Sequence, residues 1–277
     1  MSRAYWKYNS IHTHIPKCYH PYFYLTVFLV GVLVLLLWLS TETPDLKPYK
    51  RRLNRDGYVL IPGGSLKEAL RRLPAGYVYL KYRYTIDGCS LSTFHRDVTS
   101  SAYVYETKHP VYTFIVYRSA APNTPLLSVC PGSHRTTPFL FSSPVVVSSG
   151  VDSLADTGIL FDCDLVHAGA LDRDNASRHV EQYKIAHVDD LPKLNHLANI
   201  DMTKSCDTPS VSYPYEWVSR RASWVFAHLV NHHLTPYLQD PPDNAFGRML
   251  VSVYGRAFYN QSVDSFIDTR KITNHNT

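Results

Sequence analysis

The chain has 277 residues, 45% of them hydrophobic and 18% charged, which is enough for one domain with a sizeable core plus an appendage. Its formal net charge is +5, and much of the positive charge lies beside a single apolar run. This charge excludes the strongly basic surface of a nucleic-acid-binding protein and favours anionic lipid headgroups as a partner. The five cysteines form no CxxC motif, so they leave the redox compartment open.

The first predicted element is a transmembrane helix over residues 22–39, preceded by an N-terminal tail over residues 1–21. These 18 residues carry no charge, and at about 1.5 Å per residue they approach the thickness of the hydrocarbon core of a bilayer. Tyr22, Tyr24 and Trp38 lie near its ends, as interfacial aromatic residues do. The alternatives are a cleaved signal peptide, which normally has a shorter apolar region, and a buried core helix. We expect a single-pass membrane protein.

The side of the membrane on which the main domain lies stays open. Residues 40–55 form a polar linker with two prolines and a basic cluster that favours a cytosolic domain by the positive-inside rule. Asn175 and Asn260 lie in formal glycosylation motifs, which would require the opposite orientation. Such triplets arise often by chance, so they do not decide the compartment.

The domain over residues 56–277 is predicted to be mainly β, a jelly roll or double-stranded β-helix with flanking helices. Ser65 and Glu68 are spaced as a capping box and predict a short helix over residues 65–73. Segments rich in Tyr, Val, Ile and Phe, separated by turn residues, then predict strands. These segments are residues 77–86, 110–119, 125–130, 144–149, 158–166 and 183–188. Helical spacing of apolar residues over 217–229 predicts one further amphipathic helix.

The most informative short motif is His95-Arg96-Asp97. The same letters occur in the catalytic loop of protein kinases, but Ala102 stands where that loop needs Asn, and the chain has neither the Gly-rich loop nor DFG. In a strand, residues i and i+2 point to the same face, so His95 and Asp97 can direct an imidazole and a carboxylate at one point. This is two-thirds of the ligand set that non-haem Fe(II) oxygenases use.

A third ligand and a co-substrate anchor follow downstream. His167 ends an apolar run, and Arg178 comes eleven residues later. 2-Oxoglutarate can fill two iron positions and leave the third for O₂, while a guanidinium matches its distal carboxylate. A second HxD triplet, His187-Val188-Asp189, has no comparable segment after it. The histidine pair at residues 232–233 and the histidines of the N-terminal tail are predicted to be solvated rather than metal ligands.

Four segments in this order resemble the phytanoyl-CoA dioxygenase family of Fe(II)/2-oxoglutarate oxygenases over roughly residues 55–190: residues 57–64 (GYVLIPGG), 94–97 (FHRD), 125–135 (PLLSVCPGSHR) and 167–178. The resemblance implies iron ligation by His95, Asp97 and His167, with Arg178 holding 2-oxoglutarate. Phe114 stands where some relatives have an inner-strand Trp and is expected at the co-substrate.

The resemblance implies a membrane-anchored dioxygenase that hydroxylates a small-molecule or lipid substrate. Asp97 favours oxygen insertion over halogenation, because halide-transferring relatives lack this carboxylate and bind halide in its place. Two alternatives remain at this stage. One is a catalytically idle jelly roll that keeps the metal site as a binding module, and the other is a cupin-type metal-dependent isomerase or hydrolase with other ligands.

Overall fold

A computed structural model describes residues 20–39, 42–87, 94–97, 100–135, 144–150, 156–170 and 179–205. The chain divides into two compact units, Met1–Trp38 and Leu39–Thr277. The predicted amphipathic helix over 217–229 lies outside the described residues, as does Arg178.

The described residues of the N-terminal unit form helix α1, which runs over His20–Leu39. Its large apolar side chains between Tyr22 and Leu35 are exposed, with Phe28 66% accessible. Among the residues that the structure describes, no helix combines the length and the apolar character needed to cross a membrane.

The described residues of the second unit are mainly β, as predicted, and their strands form two sheets. The six-stranded sheet has the order β10-β3-β9-β4-β7-β2 and the four-stranded sheet the order β1-β6-β5-β8. Pairing is antiparallel except for β10 with β3 and β1 with β6. The strands are β1 (Thr43–Pro44), β2 (Tyr58–Pro62), β3 (Tyr77–Asp87), β4 (Tyr112–Tyr117), β5 (Pro125–Val129), β6 (Val145–Ser148), β7 (Thr157–Asp162), β8 (His167–Gly169), β9 (His179–His187) and β10 (Asp201–Ser205).

Short helices connect the strands. They are α2 (Leu53–Asp56), α3 (Leu66–Arg71) and α4 (Ala102–Tyr105), with 3-10 turns at Pro48–Lys50, Ser133–Arg135, Val188–Lys193 and Asn195–Leu197. The N-cap of α3 is confirmed at Ser65, whose hydroxyl accepts a hydrogen bond from the Glu68 amide at 3.3 Å, while the Glu68 carboxylate accepts from Arg72.

Each face of the six-stranded sheet has its own apolar cluster. One cluster joins that sheet to the four-stranded sheet, with Ile115 and Phe161 packing together with Leu127 and Val147. The other lies beneath α3 and includes Phe114 and Leu160. Because side chains alternate along a strand, β4 and β7 each contribute to both clusters.

One predicted strand is wrong over part of its length. Residues 158–166 were expected to continue in one strand, but β7 ends at Asp162 and the chain turns there, with the Leu165 amide donating to the Asp162 carbonyl at 2.9 Å. The turn allows the chain to leave the six-stranded sheet and to enter the four-stranded sheet as β8. A continuous apolar run is compatible with either course, since both sheets bury these residues.

Candidate metal centre

Two histidines that are 72 positions apart in the sequence form a cross-strand pair. The His95 amide donates to the His167 carbonyl at 2.9 Å, and the His167 amide donates to the His95 carbonyl at the same distance. Directly opposed residues in an antiparallel pair project their side chains to the same side. The two imidazole centroids therefore lie 4.4 Å apart.

Asp97 adds a carboxylate to this pair. It is two residues beyond His95, and its amide donates to the Cys163 carbonyl at 2.9 Å, which fixes its backbone against the chain just before β8. Its Oδ1 lies 3.7 Å from His95 Nε2 and 3.6 Å from His167 Nε2. The ligand atoms of all three residues lie within 4.8 Å of one another. The structure thus brings together the three residues that the sequence predicted as ligands.

His167 is held in the tautomer that a metal needs. Its Nδ1 lies 2.9 Å from the Leu165 carbonyl oxygen, which only accepts, so Nδ1 carries the proton and Nε2 keeps a free lone pair towards Asp97. The side chain is buried, and burial together with nearby His95 lowers the pKa of His167 to about 4. The imidazole is therefore neutral over the physiological pH range.

Lys184 lies beside the cluster and was not predicted from the sequence. It projects from β9 with 1% of its surface accessible. Its ammonium donates to Asp97 Oδ2 at 2.6 Å, to Thr113 Oγ1 at 2.7 Å and to Ser100 Oγ at 2.8 Å. All three ammonium protons thus have acceptors, which offsets much of the cost of burying the charge.

The ion pair fixes the charge of both partners. Burial by itself would raise the pKa of Asp97, but Lys184, His167 and His95 together hold it well below its usual range. Burial opposes the charge on Lys184 as well, and Asp97 reverses that effect and raises the pKa of the lysine. Asp97 is therefore an ionised carboxylate with one oxygen engaged by Lys184 and Thr113 and the other facing the histidines.

Sequence reasoning missed Lys184 and Thr113 although each left a signal. Each is a polar residue between two apolar or aromatic residues of its strand. Because side chains alternate along a strand, those two neighbours point to the opposite face of the sheet. In β9, Val180 packs in the core between the sheets while Gln182 and Lys184 contact Asp97, so alternate residues share one side. A buried lysine at such a position needs a carboxylate partner.

Phe114 lies on the other side of β4. Thr113 donates to Asp97, whereas the adjacent Phe114 packs in the cluster beneath α3, with its ring centroid 6.1 Å from that of Tyr183. Successive residues of a strand point to opposite faces, so β4 offers Thr113 rather than Phe114 to the metal centre. The strand was identified correctly, but the residue facing the site is shifted by one position.

No protein-family model matches the chain, and no curated protein sequence matches it. Among solved structures, it is similar to the non-heme alpha ketoglutarate dependent epimerase SnoN from nogalamycin biosynthesis, with 14% identity, a TM-score of 0.32 and coverage of 49% of this chain and 80% of SnoN. For the iron and alpha-ketoglutarate-dependent endoperoxidase NvfI, the identity is 11%, the TM-score 0.32 and the coverage 50% and 81%.

EctD from S. alaskensis is similar to the same degree, with 13% identity, a TM-score of 0.32 and coverage of 55% of this chain and 82% of EctD. These identities and TM-scores are low. Similarity at this level does not define the chemistry of this chain.

Proposed function

We propose that the protein is an Fe(II)- and 2-oxoglutarate-dependent dioxygenase. The observation that carries the proposal is the convergence of His95, Asp97 and His167 on one point, with two imidazole nitrogens and one carboxylate oxygen. Two histidines and one carboxylate on one face of the metal are the ligand set of non-haem Fe(II) oxygenases and leave three positions open. A double-stranded β-helix would hold such a set at the ends of facing strands.

The donor geometry fits a first-row divalent ion. Ligand atoms about 2.1 Å from a metal are separated by about 3.0 to 3.4 Å in octahedral or tetrahedral arrangements. The distances from Asp97 Oδ1 to the Nε2 atoms of His167 and His95 are 3.6 and 3.7 Å, so these two pairs need only a small contraction. Lys184 occupies Asp97 Oδ2, so the carboxylate presents a single oxygen to the ion.

The charge of the site favours a dianionic co-substrate. A divalent ion, the Asp97 carboxylate and the Lys184 ammonium together carry a net charge of about +2 when both histidines are neutral. 2-Oxoglutarate is a dianion that chelates through its keto oxygen and adjacent carboxylate. Arg178, proposed from the sequence as the partner of the distal carboxylate, lies outside the described residues, so this role rests on the sequence alone.

In this proposal the chain contributes orientation and exclusion of water. His167 is fixed by Leu165, and Asp97 is fixed by Lys184 and Thr113, so the ligands are held before the ion binds. When bound, iron supplies the one-electron and O₂ chemistry that side chains lack. The expected reaction is hydroxylation of a small-molecule or lipid substrate.

Membrane attachment is the second part of the proposal and rests on the sequence. The support is the uncharged run over residues 22–39 and the exposed apolar side chains of α1 up to Leu35. We propose that this segment inserts into a bilayer, with the adjoining basic linker close to anionic headgroups.

The decisive experiment is a turnover assay of the full-length chain in detergent with ferrous iron, 2-oxoglutarate and O₂. Succinate release is expected from the wild type and from His196→Ala, a control that removes a histidine outside the cluster, and not from His167→Ala. If the protein binds metal but releases no succinate when pools of lipids, acyl-CoAs and amino acids are supplied, the idle binding module is favoured. Metal-dependent isomerisation or hydrolysis without 2-oxoglutarate would favour the cupin-type alternative.

A further inference from the structure

A second cluster of histidine and aspartate side chains lies at the end of β9. It consists of His109, from the segment before β4, and of His187 and Asp189, the second HxD triplet of the sequence. Asp189 Oδ2 lies 3.7 Å from His109 Nε2 and 3.6 Å from His187 Nδ1. These separations match those of the buried centre, where Asp97 Oδ1 lies 3.7 and 3.6 Å from its two histidines.

We propose that His109, His187 and Asp189 form a surface site for a borderline divalent cation of the Zn²⁺ class. Two imidazole nitrogens and one carboxylate oxygen are ligands that Zn²⁺ takes in tetrahedral sites, with a fourth position left to water. The side chains of His109, His187 and Asp189 are 37%, 15% and 53% accessible, so the ion reaches them directly from solvent.

The orientation of His187 is fixed before any ion binds. Its Nε2 lies against the backbone of Gly76, where a Cβ would come within 2.2 Å of that nitrogen, and its ring packs edge-to-face with Tyr77 at a centroid distance of 5.4 Å. Gly76 has φ +97, a left-handed conformation that other residues rarely adopt. With Nε2 enclosed, Nδ1 is the nitrogen left on the side of Asp189.

The protonation of His187 also suits a ligand. Its Nδ1 accepts a hydrogen bond from the Asp189 amide at 3.3 Å, so Nδ1 is the unprotonated nitrogen and has a lone pair. The bond is long, and a cation at Nδ1 would take its place at small cost. The competing role of His187 is therefore a weak cap of the 3-10 turn that follows β9.

His109 is brought to the cluster by the buried carboxylate of Asp190. Asp190 is 1% accessible and accepts hydrogen bonds from the amides of Lys108 at 2.7 Å and His109 at 3.0 Å. These bonds tie the segment before β4 to the turn that carries Asp189. The imidazole centroids of His109 and His187 consequently lie 3.9 Å apart.

The two clusters differ in how their carboxylates are balanced. Asp97 is paired with the ammonium of Lys184. Among the described residues, the carboxylate of Asp189 lies beside the imidazoles of His109 and His187. A divalent cation would pair with the Asp189 carboxylate and would link two segments that are far apart in the sequence, which would stabilise the native state.

The test uses the full-length chain in detergent, without a histidine tag and with His95→Ala and His167→Ala, so that the buried centre is removed and no turnover is measured. Calorimetric titration with Zn²⁺ is expected to give one bound equivalent. Titration with Co²⁺ is expected to give a visible absorption spectrum typical of an ion with a low coordination number. Adding His109→Ala should weaken binding at least tenfold. His179→Ala is the matched control, because His179 is also an accessible histidine beside one aspartate, Asp87.

One further variant completes the test. Gly76→Ala should weaken Zn²⁺ binding as well, because its Cβ would displace the His187 ring. In the background protein with Gly76 intact, Co²⁺ should bind with the same stoichiometry as Zn²⁺. The proposal is overturned if the background protein binds no Zn²⁺, or if His109→Ala and His179→Ala bind it equally. Either result leaves the proposed dioxygenase activity untouched, because the buried centre is absent from every protein in the titration.

Discussion

The ammonium of Lys184 lies 2.6 Å from Asp97 Oδ2, while Oδ1 of the same carboxylate faces His95 and His167. The two oxygens of Asp97 therefore have separate environments, one cationic and one open to the imidazoles. A carboxylate that must bind an ion through a single oxygen benefits from a partner that occupies the other. The pair also keeps a buried carboxylate ionised, which burial alone would oppose.

The first prediction concerns the stability of this pair. Lys184→Met should destabilise the domain by about 3 to 5 kcal/mol, because it leaves the Asp97 charge buried without its partner. Asp97→Asn should have a similar effect by isolating Lys184, so a loss of activity in Asp97 variants includes a loss of stability. The double variant should be more stable than the sum of the single effects implies. Chemical denaturation of the four proteins measures this coupling, and strict additivity would show that the pair contributes nothing.

The second prediction concerns Thr113, whose hydroxyl donates to Asp97 and accepts from Lys184. Thr113→Val keeps the shape but leaves both partners short of a hydrogen bond, which should cost about 1 to 3 kcal/mol and weaken metal binding about 10-fold to 100-fold. Thr85→Val, at another buried strand threonine, is the control for metal affinity. Equal metal affinities for the two variants would remove Thr113 from the metal centre.

The third prediction concerns the co-substrate. Arg178→Leu should raise the apparent KM for 2-oxoglutarate roughly 30-fold to 1000-fold, because a charge-assisted bidentate contact is worth about 2 to 4 kcal/mol. Binding of the metal itself should be unchanged. Steady-state kinetics with varied 2-oxoglutarate gives the value, and an unchanged KM would place the distal carboxylate at another cation.

The fourth prediction concerns pH. Burial and the adjacent Asp164 carboxylate raise the pKa of Asp162 to about 7. Since an unfolded Asp loses its proton near pH 4, the native state holds one more proton between about pH 4 and 7, and stability from this group falls as pH rises through that interval.

Asp162→Asn cannot ionise and keeps an oxygen that can accept from the Asp164 amide, as Asp162 Oδ1 does at 2.9 Å. The variant should gain stability over the wild type between pH 4 and 7, by an amount on the order of 4 kcal/mol at most, and the difference should stay constant above pH 7. Denaturation curves at pH 5, 6, 7 and 8 measure it. A difference independent of pH would mean that Asp162 is ionised in the native protein.

The fifth prediction concerns the membrane. The full-length chain should remain with membranes after a carbonate wash, and a chain beginning at Asp45 should be recovered in the soluble fraction. Sequencing of the mature N-terminus is the control for the alternative. An N-terminus near Thr41 would favour a cleaved signal peptide, and full-length protein in the soluble fraction would contradict the membrane anchor.

The sequence by itself determined the strand content and the candidate ligands, because both depend on local spacing. Alternation in an expected strand placed His95 and Asp97 on one face, and the apolar run ending at His167 gave the third residue of the cluster that the structure brings together. The structure has a single bridge at His95 in place of that strand. Turn residues and the N-cap at Ser65 likewise marked the ends of elements through short-range hydrogen bonds.

Only the tertiary structure decided what surrounds the ligands. Lys184 reaches Asp97 because β9 pairs with β4 in a register that places Lys184 beside Thr113, a relation between residues 71 positions apart. The side of β4 that faces the site was likewise set by packing, since a buried strand such as β4 is apolar on both faces and its pattern does not distinguish Thr113 from Phe114. Long-range strand pairing and burial, which no local pattern encodes, therefore chose the partners of the metal centre.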